Sequence, residues 1–177
     1  MVNIANKDIL IETPRLIVRH FSEEYLEVLA NQQKDPDLMR FFGGPRTDEK
    51  IKWSLDLMYK HYQKHGFSQG AAFEKQSGQI IGRSGLIKLD LDEKSPYVET
   101  ITLLMPQFWC QGFGLEIRRG LIKHAFENFG VQRVYSTIDP LNTVACHISE
   151  KLGMKIEREG YYKTLNKIVR YYYIDKL

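Results

Sequence analysis

The sequence has 177 residues, of which 43% are hydrophobic and 27% charged; that length suits one domain over residues 1–177, and that composition excludes a disordered chain, a collagen-like repeat and a coiled coil. Twenty-five basic residues against 22 acidic ones leave +3 with no block of like charge, so a nucleic-acid partner is not required and a small anionic ligand is compatible. No stretch approaches the roughly 20 apolar residues of a membrane helix, MVNIANKDIL has polar Asn3, Asn6, Lys7 and Asp8 where a signal peptide needs an apolar run, and Cys110 and Cys146 are too few for a disulfide framework; a reduced, cytoplasmic protein without membrane attachment is expected.

Residues 16–19 (LIVR) read as a short strand after Pro14. From Tyr25 to Gln33, Leu26, Leu29 and Ala30 recur at helical spacing, and Asp35-Pro36 ends the run. Gly43-Gly44-Pro45 is a loop, and residues 48–64 form a second helix with Ile51, Leu55, Met58 and Tyr62 along one stripe. AAFEK and QIIGRSGLIK flank Gln76-Ser77-Gly78 as a hairpin, and the charged stretch 88–97 is a loop. VETITLLM (98–105) is a strand ending at Pro106, followed by a glycine-bearing turn and a helix on which Ile117, Leu121, Ala125 and Phe129 repeat every four residues, with Gly130 just past its end. VQRVYSTI (131–138) is another strand. Asn142 is placed to cap a helix from Thr143 to Leu152, and two β segments, 154–158 and 168–174, lie around Gly160. The order predicts an α/β domain with a mixed sheet, parallel where a helix crosses over and antiparallel at hairpins.

The most informative segment is ITLLMPQFWCQGFGLEIRRG, where a strand runs into Gln111-Gly112-Phe113-Gly114 and an amphipathic helix begins at once. Glycines let backbone amides approach an anion, and a helix N-terminus presents unpaired N–H groups with partial positive charge. The dinucleotide fingerprint fails because its third glycine would fall on Ile117, and the phosphate-loop pattern with Gly-Lys-Ser/Thr is absent. A plain tight turn entering a helix is the competing account.

The wider sequence discriminates between these. ETPRLIVRHF, DPDLMRFF, SGQIIGRSGL, VETITLLMPQFWCQGFGLEI and DPLNTVACHISEKLGM occur in an order that resembles the GNAT superfamily of acyl-CoA-dependent N-acetyltransferases, and within it the ribosomal-protein N-terminal acetyltransferases of the RimJ/RimL-like branch. The resemblance spans about residues 10–175. It implies a single GNAT-like domain whose mixed, mostly antiparallel sheet, flanked by helices, splays at the acyl-CoA site, with acetyl-CoA as cosubstrate, no metal, and a monomer or homodimer. The CoA diphosphate would sit on the amides around Gly112, Phe113, Gly114 and Leu115, with Gln111 offering its side chain. Trp109 stands where the superfamily often has Gln or Arg, and core packing is its alternative role. Leu103 and Leu104 match the backbone positions that pair with pantetheine. Asn142 matches an asparagine that contacts CoA near the thiol, compatible with helix capping.

For the chemistry, Glu99 aligns with a glutamate of this branch, and strand alternation puts it on one face with Ile101 and Leu103, a setting that would raise its pKa and suit a base; an exposed carboxylate at a strand's start is the plain alternative. Ser149 occupies the slot where many members carry a tyrosine that meets the leaving thiolate, with Tyr135, Tyr161 and Tyr162 as unranked substitutes. Arg118 or Arg119 would meet a 3′-phosphate or simply be solvated. His61 and His65, four apart, read as surface residues, and neither they nor His124 and His147 have a third ligand for zinc. Acceptor selection is expected from Phe41–Pro45, the helix from Asp48 and the loop Lys88–Tyr97, whose Asp90, Asp92 and Glu93 would attract a cation. The expected activity is transfer of acetyl to a primary amine, a protein N-terminus or a small molecule, by direct attack in a ternary complex; a non-catalytic acyl-CoA-binding regulatory protein is the alternative.

Overall fold

The computed structural model describes residues 9–20, 22, 25–163 and 165–177. Residues 1–8, on which the expectation about a signal peptide rests, and Phe21, which ends the ETPRLIVRHF stretch, lie outside it.

An eight-stranded sheet runs through the molecule in the order β1-β2-β3-β4-β5-β6-β8-β7. Its strands are β1 (Ile9–Glu12), β2 (Leu16–His20), β3 (Gln69–Glu74), β4 (Ile80–Lys88), β5 (Val98–Leu104), β6 (Arg133–Ile138), β7 (Lys155–Tyr162) and β8 (Lys167–Asp175). All neighbours pair antiparallel except β5 and β6, which are parallel. The helices are α1 (Leu26–Lys34), α2 (Pro36–Met39), α3 (Asp48–His65), α4 (Phe113–Asn128) and α5 (Thr143–Lys151). The mixed, mostly antiparallel sheet expected from the sequence is therefore present.

Strand alternation sorts the core into two faces. Leu16, Val18, Ala72, Ile81, Val98 and Val134 pack with Ile117, Leu121, Ile122 and Ala125 of α4 and Cys146 of α5 in one large cluster. Fully burying each such aliphatic side chain contributes roughly 1.5–3 kcal/mol, which is why the four-residue repeat along α4 settles against the sheet. The opposite face carries Leu103 under Leu38 and Met39 of α2, and an aromatic cluster of Tyr135, Tyr162 and Tyr171 with Leu89 and Val169.

Four local expectations change. β1 was not foreseen, because four residues carry too little alternation to stand out. Asp35 does not merely end α1: its carboxylate accepts from the N–H groups of Asp37 and Leu38 and starts α2, with Pro36 in the first position. On α3 the buried residues are Ile51, Ser54, Met58 and His61, whereas Leu55 and Tyr62 are half-buried, so two polar groups sit on the inner stripe. Gly160 lies inside β7, which runs to Tyr162, and β8 begins at Lys167 just after Asn166 at φ 54°.

Candidate active site

The β5–β6 pair holds at only two positions, Val98↔Val134 and Glu99↔Tyr135, after which the strands diverge. Each is kept by its other neighbour: β5 pairs with β4 through Leu104, and β6 with β8 through Ile138. At the point of divergence the Thr100 and Ser136 hydroxyls bridge at 2.6 Å. Met105 N–H donates to Ile81 O of the β4 side at 2.8 Å, which sets the phase of β5. Because successive residues of a strand direct their main-chain groups to opposite sides, Leu103 pairs with Arg83 of β4, whereas Thr102 and Leu104 turn their N–H and C=O toward the gap. Of the two main-chain positions expected to pair with pantetheine, Leu104 faces the gap and Leu103 faces β4, with Thr102 as the other gap-facing position. Trp109, 45% exposed and outside the core, donates its indole N–H to Leu104 O at 2.6 Å and closes one end of the gap.

The turn after β5 is shaped by two left-handed residues, Cys110 (φ 59°) and Gly112 (φ 79°). Gly112 is the N-cap of α4 and offers no side chain to its first turn, so the amides of Phe113, Gly114 and Leu115 have neither a cap nor an intrahelical acceptor; the ladder begins with Glu116 N–H on Gly112 O at 3.1 Å. At Gly114 a Cβ would lie 3.2 Å from Ile148 Cδ1, so the missing side chain lets α4 approach α5. Gln111, expected to offer its side chain to a phosphate, donates Nε2 to Gln107 O at 3.1 Å. A group the sequence reading missed is Arg15, which donates to Gln111 O at 2.9 Å, pairs with Glu116 at 2.6 Å and stacks 4.5 Å from the Phe113 ring centroid. Its place in the ETPRL stretch was the available signal.

Glu99 stands where the β5–β6 ladder ends, fully buried on the face of Leu103. Thr137 donates to its Oε2, and Tyr162 donates to Oε1 at 3.0 Å. Burial pushes its pKa up to about 7, against the opposing effect of the two hydroxyl donors. The exposed-carboxylate account is thereby excluded. Of the three tyrosines left unranked, Tyr162 alone touches this carboxylate among the described residues, while Tyr135 donates to Glu157 and Tyr161 reaches Asn166.

Ser149 is also fully buried, donating to Ala145 O at 3.1 Å and accepting from Arg118 Nη2 at 2.6 Å. Arg118 is thus no solvated or 3′-phosphate-binding residue. It is 5% exposed, and it also donates to Ser136 Oγ and Ala145 O. Burial lowers its pKa to about 10, which leaves it charged at neutral pH. Thr100, Ser136, Arg118 and Ser149 form one buried chain of hydrogen bonds beside the gap. Asn142 accepts from Ala145 N–H at 3.2 Å and caps α5.

His61 departs from its expected surface position. Its Nδ1–H donates to Phe67 O at 2.8 Å and its Nε2 accepts from Lys88 N–H at 3.1 Å, which sets a neutral tautomer tying α3 to the segment before β3 and to the end of β4. In the loop 88–97 the acids are engaged: Glu93 with Lys64 and His65, Asp90 with the Tyr171 hydroxyl, and Asp92 with Lys94 N–H.

A family model described as an acetyltransferase (GNAT) domain matches residues 15–155. Among known proteins, the chain is 23% identical over 133 residues to the uncharacterized protein YkkB of Bacillus subtilis strain 168, covering 75% of this chain and 74% of that one. It is 26% identical over 152 residues to the FsC-acetyl coenzyme A-N(2)-transacetylase of Aspergillus fumigatus, covering 81% of this chain and 64% of that protein. An acetyltransferase structure from Agrobacterium tumefaciens str. C58 aligns with TM-score 0.81 at 17% identity, covering 94% of each chain. A spermidine N-acetyltransferase from Vibrio cholerae, solved with CoA and spermine, aligns with TM-score 0.75 at 17% identity, covering 91% of this chain and 95% of that one.

Proposed function

The chain belongs to the GNAT acetyltransferase family, and from that premise we propose that it is an acetyl-CoA-dependent N-acetyltransferase passing acetyl directly to a primary amine. The observation that carries this reading is the opened β5–β6 ladder, with uncapped α4 amides at one end and a buried carboxylate of raised pKa at the other.

The amides of residues 113–115 fit a diphosphate, since a helix N-terminus with no side-chain cap stabilises an anion there. Arg15 holds the Gln111 carbonyl, and its ion pair with Glu116 fixes the turn against the first turn of α4. Thr102 N–H and C=O and Leu104 N–H offer main-chain partners to a pantetheine arm lying in the gap, as a strand edge does for a peptide. Asn142, its Oδ1 used as a cap, keeps its NH₂ for the same arm.

Attack by the neutral amine forms the N–C bond, breaks C–S and releases one proton from nitrogen. Glu99 takes that proton. A lysine-type amine with pKa ~10.4 requires roughly 4–5 kcal/mol for deprotonation at pH 7, and an α-amine near 8 only about 1 kcal/mol. A carboxylate at about 7 is close to the working pH and so suits proton transfer in both directions. On the thiolate side Ser149, which accepts from Arg118, would turn its hydroxyl hydrogen from Ala145 O to the departing sulfur. Within the family, the ETPRL opening and the SEKLGM element favour the RimJ/RimL-like branch.

The test is release of free CoA from acetyl-CoA with a panel of peptides and small amines. Glu99→Gln should abolish most turnover with acetyl-CoA affinity retained; no release with any amine, alongside intact CoA binding, would favour a binding protein.

A further inference from the structure

Two arginines, the buried Arg83 and the half-buried Arg46, meet no acid among the described residues. Arg83 of β4 is 5% exposed; its Nη2 touches only the Met39 sulfur, at 3.8 Å, and its Nε–H has no acceptor. Arg46, just before α3, donates Nη1 to Gln33 Oε1 at 2.8 Å and lies close enough to lower the Arg83 pKa further below the value burial imposes. Among the described residues neither forms an ion pair. On α1, which packs over β4, the buried Gln32 leaves both ends of its amide without a partner.

These groups share a place in the fold. The register puts Arg19, Ala71, Arg83 and Leu103 in one row across β2, β3, β4 and β5, on the face covered by α2. Glu99 lies on that face, four residues back along β5, about 13 Å from Leu103 at ~3.3 Å per residue. An acceptor whose nitrogen reaches Glu99 therefore extends its other end toward Arg83. Water would satisfy an orphaned N–H, but it would not neutralise the buried Arg83 guanidinium with a second, half-buried one beside it. An oxyanion does both, and the guanidinium fork matches carboxylate or phosphate oxygens.

We propose that Arg83 and Arg46 form a subsite for a carboxylate or phosphate on the acceptor, so that the substrate is an amine bearing an anionic group several bonds from its nitrogen. This rests on the acetyltransferase reading and narrows it, because the same pair of charges disfavours polycationic amines. Spermidine should be a poor acceptor.

The experiment compares matched amines by initial rates of CoA release: 6-aminohexanoate with 6-aminohexanamide, and 6-aminohexyl phosphate with 6-aminohexanol. The first pair reports on a carboxylate source and the second on a phosphate source. The expected result is a KM at least tenfold lower for the anionic member of one or more pairs. Arg83→Gln should erase that preference and Arg46→Gln should reduce it, both with the KM for acetyl-CoA unchanged. Equal use of the neutral members, or a preference that survives in both variants, overturns the subsite. Separately, glutarate and inorganic phosphate are titrated with the CoA site saturated by CoA. At least one should raise the Tm of the wild type and not of Arg83→Gln; no shift in the wild type overturns the proposal. Turnover of neutral amines without that shift leaves the acetyltransferase reading intact and removes the subsite, whereas the shift without turnover of any amine does the reverse. Should Arg83→Gln not fold, Arg46→Gln carries both comparisons.

Discussion

Tyr162 donates its hydroxyl hydrogen to Glu99 Oε1 at 3.0 Å across a separation of 63 residues, and both side chains are buried. The contact joins β7, at the far edge of the sheet, to the strand at which the ladder opens. Together with the Thr137 hydroxyl on the other oxygen, it gives the buried carboxylate a fixed direction.

A first prediction concerns Glu99 itself. Its carboxyl, ordinarily near 4.5, stands at about 7 in the folded protein, so between those values the folded state holds a proton the unfolded state has lost. Stability therefore falls as pH rises from about 4.5 to 7, by roughly 3 kcal/mol in total. Glu99→Gln should be the more stable protein at pH 8 by about that amount and no more stable at pH 4, with most activity gone. Urea unfolding at the two pH values reads the difference, and a variant equally destabilised at both would contradict the assigned titration.

Removing the tyrosine hydroxyl should move the same titration. A hydrogen bond to a charged acceptor contributes about 1.5–3 kcal/mol, so Tyr162→Phe should raise the apparent pKa of the rising limb of the kcat/KM profile by roughly one unit. At pH 9 the loss of rate should largely vanish. A drop in rate that is constant across pH would instead assign Tyr162 a direct part in proton delivery.

The turn before α4 makes a separate claim about binding. Gly112→Ala places a Cβ on a residue with φ 79°, at a conformational penalty of about 1–2 kcal/mol, and should weaken CoA binding about tenfold by tilting the amides of the first turn. Arg15→Ala should act in the same direction, through the freed Gln111 carbonyl and the unpaired Glu116. Calorimetric titration with CoA measures both; wild-type affinity in each would remove the turn from the cosubstrate site.

Ser149→Ala tests the thiolate side. It leaves Arg118 with Ser136 Oγ, Ala145 O and the Met154 sulfur as partners, and the lost acceptor should reduce stability by about 1–3 kcal/mol. The rate effect should be a roughly tenfold fall in kcat with little change in KM for acetyl-CoA. Loss of stability with full kcat would make the residue purely structural.

Much of the fold was legible because it rests on short-range chemistry. The four-residue repeat of Ile117, Leu121 and Ala125 on α4, the Asn142 cap of α5 and the hairpin around Gly78 all appear as read. β1 was missed because it is too short to show a period. The inner stripe of α3 was misassigned because Ser54 and His61 are buried by partners, Gln33, Phe67 and Lys88, that periodicity does not contain. In the candidate site, the apolar setting of Glu99 and the uncapped turn at 112–115 were legible, whereas the direction of the Leu103 main chain toward β4 was not, because it depends on where β4 pairs with β5.

The chain alone determined where backbone amides lie uncapped and where a carboxylate falls on an apolar alternation, since both depend on neighbours within a few residues. Only the tertiary arrangement decided what Glu99 touches, that Arg118 turns inward to Ser149 and that Arg83 faces no acid. Those outcomes depend on which distant segment supplies the opposite wall, and a side chain's charge, exposure and proton affinity follow from that wall.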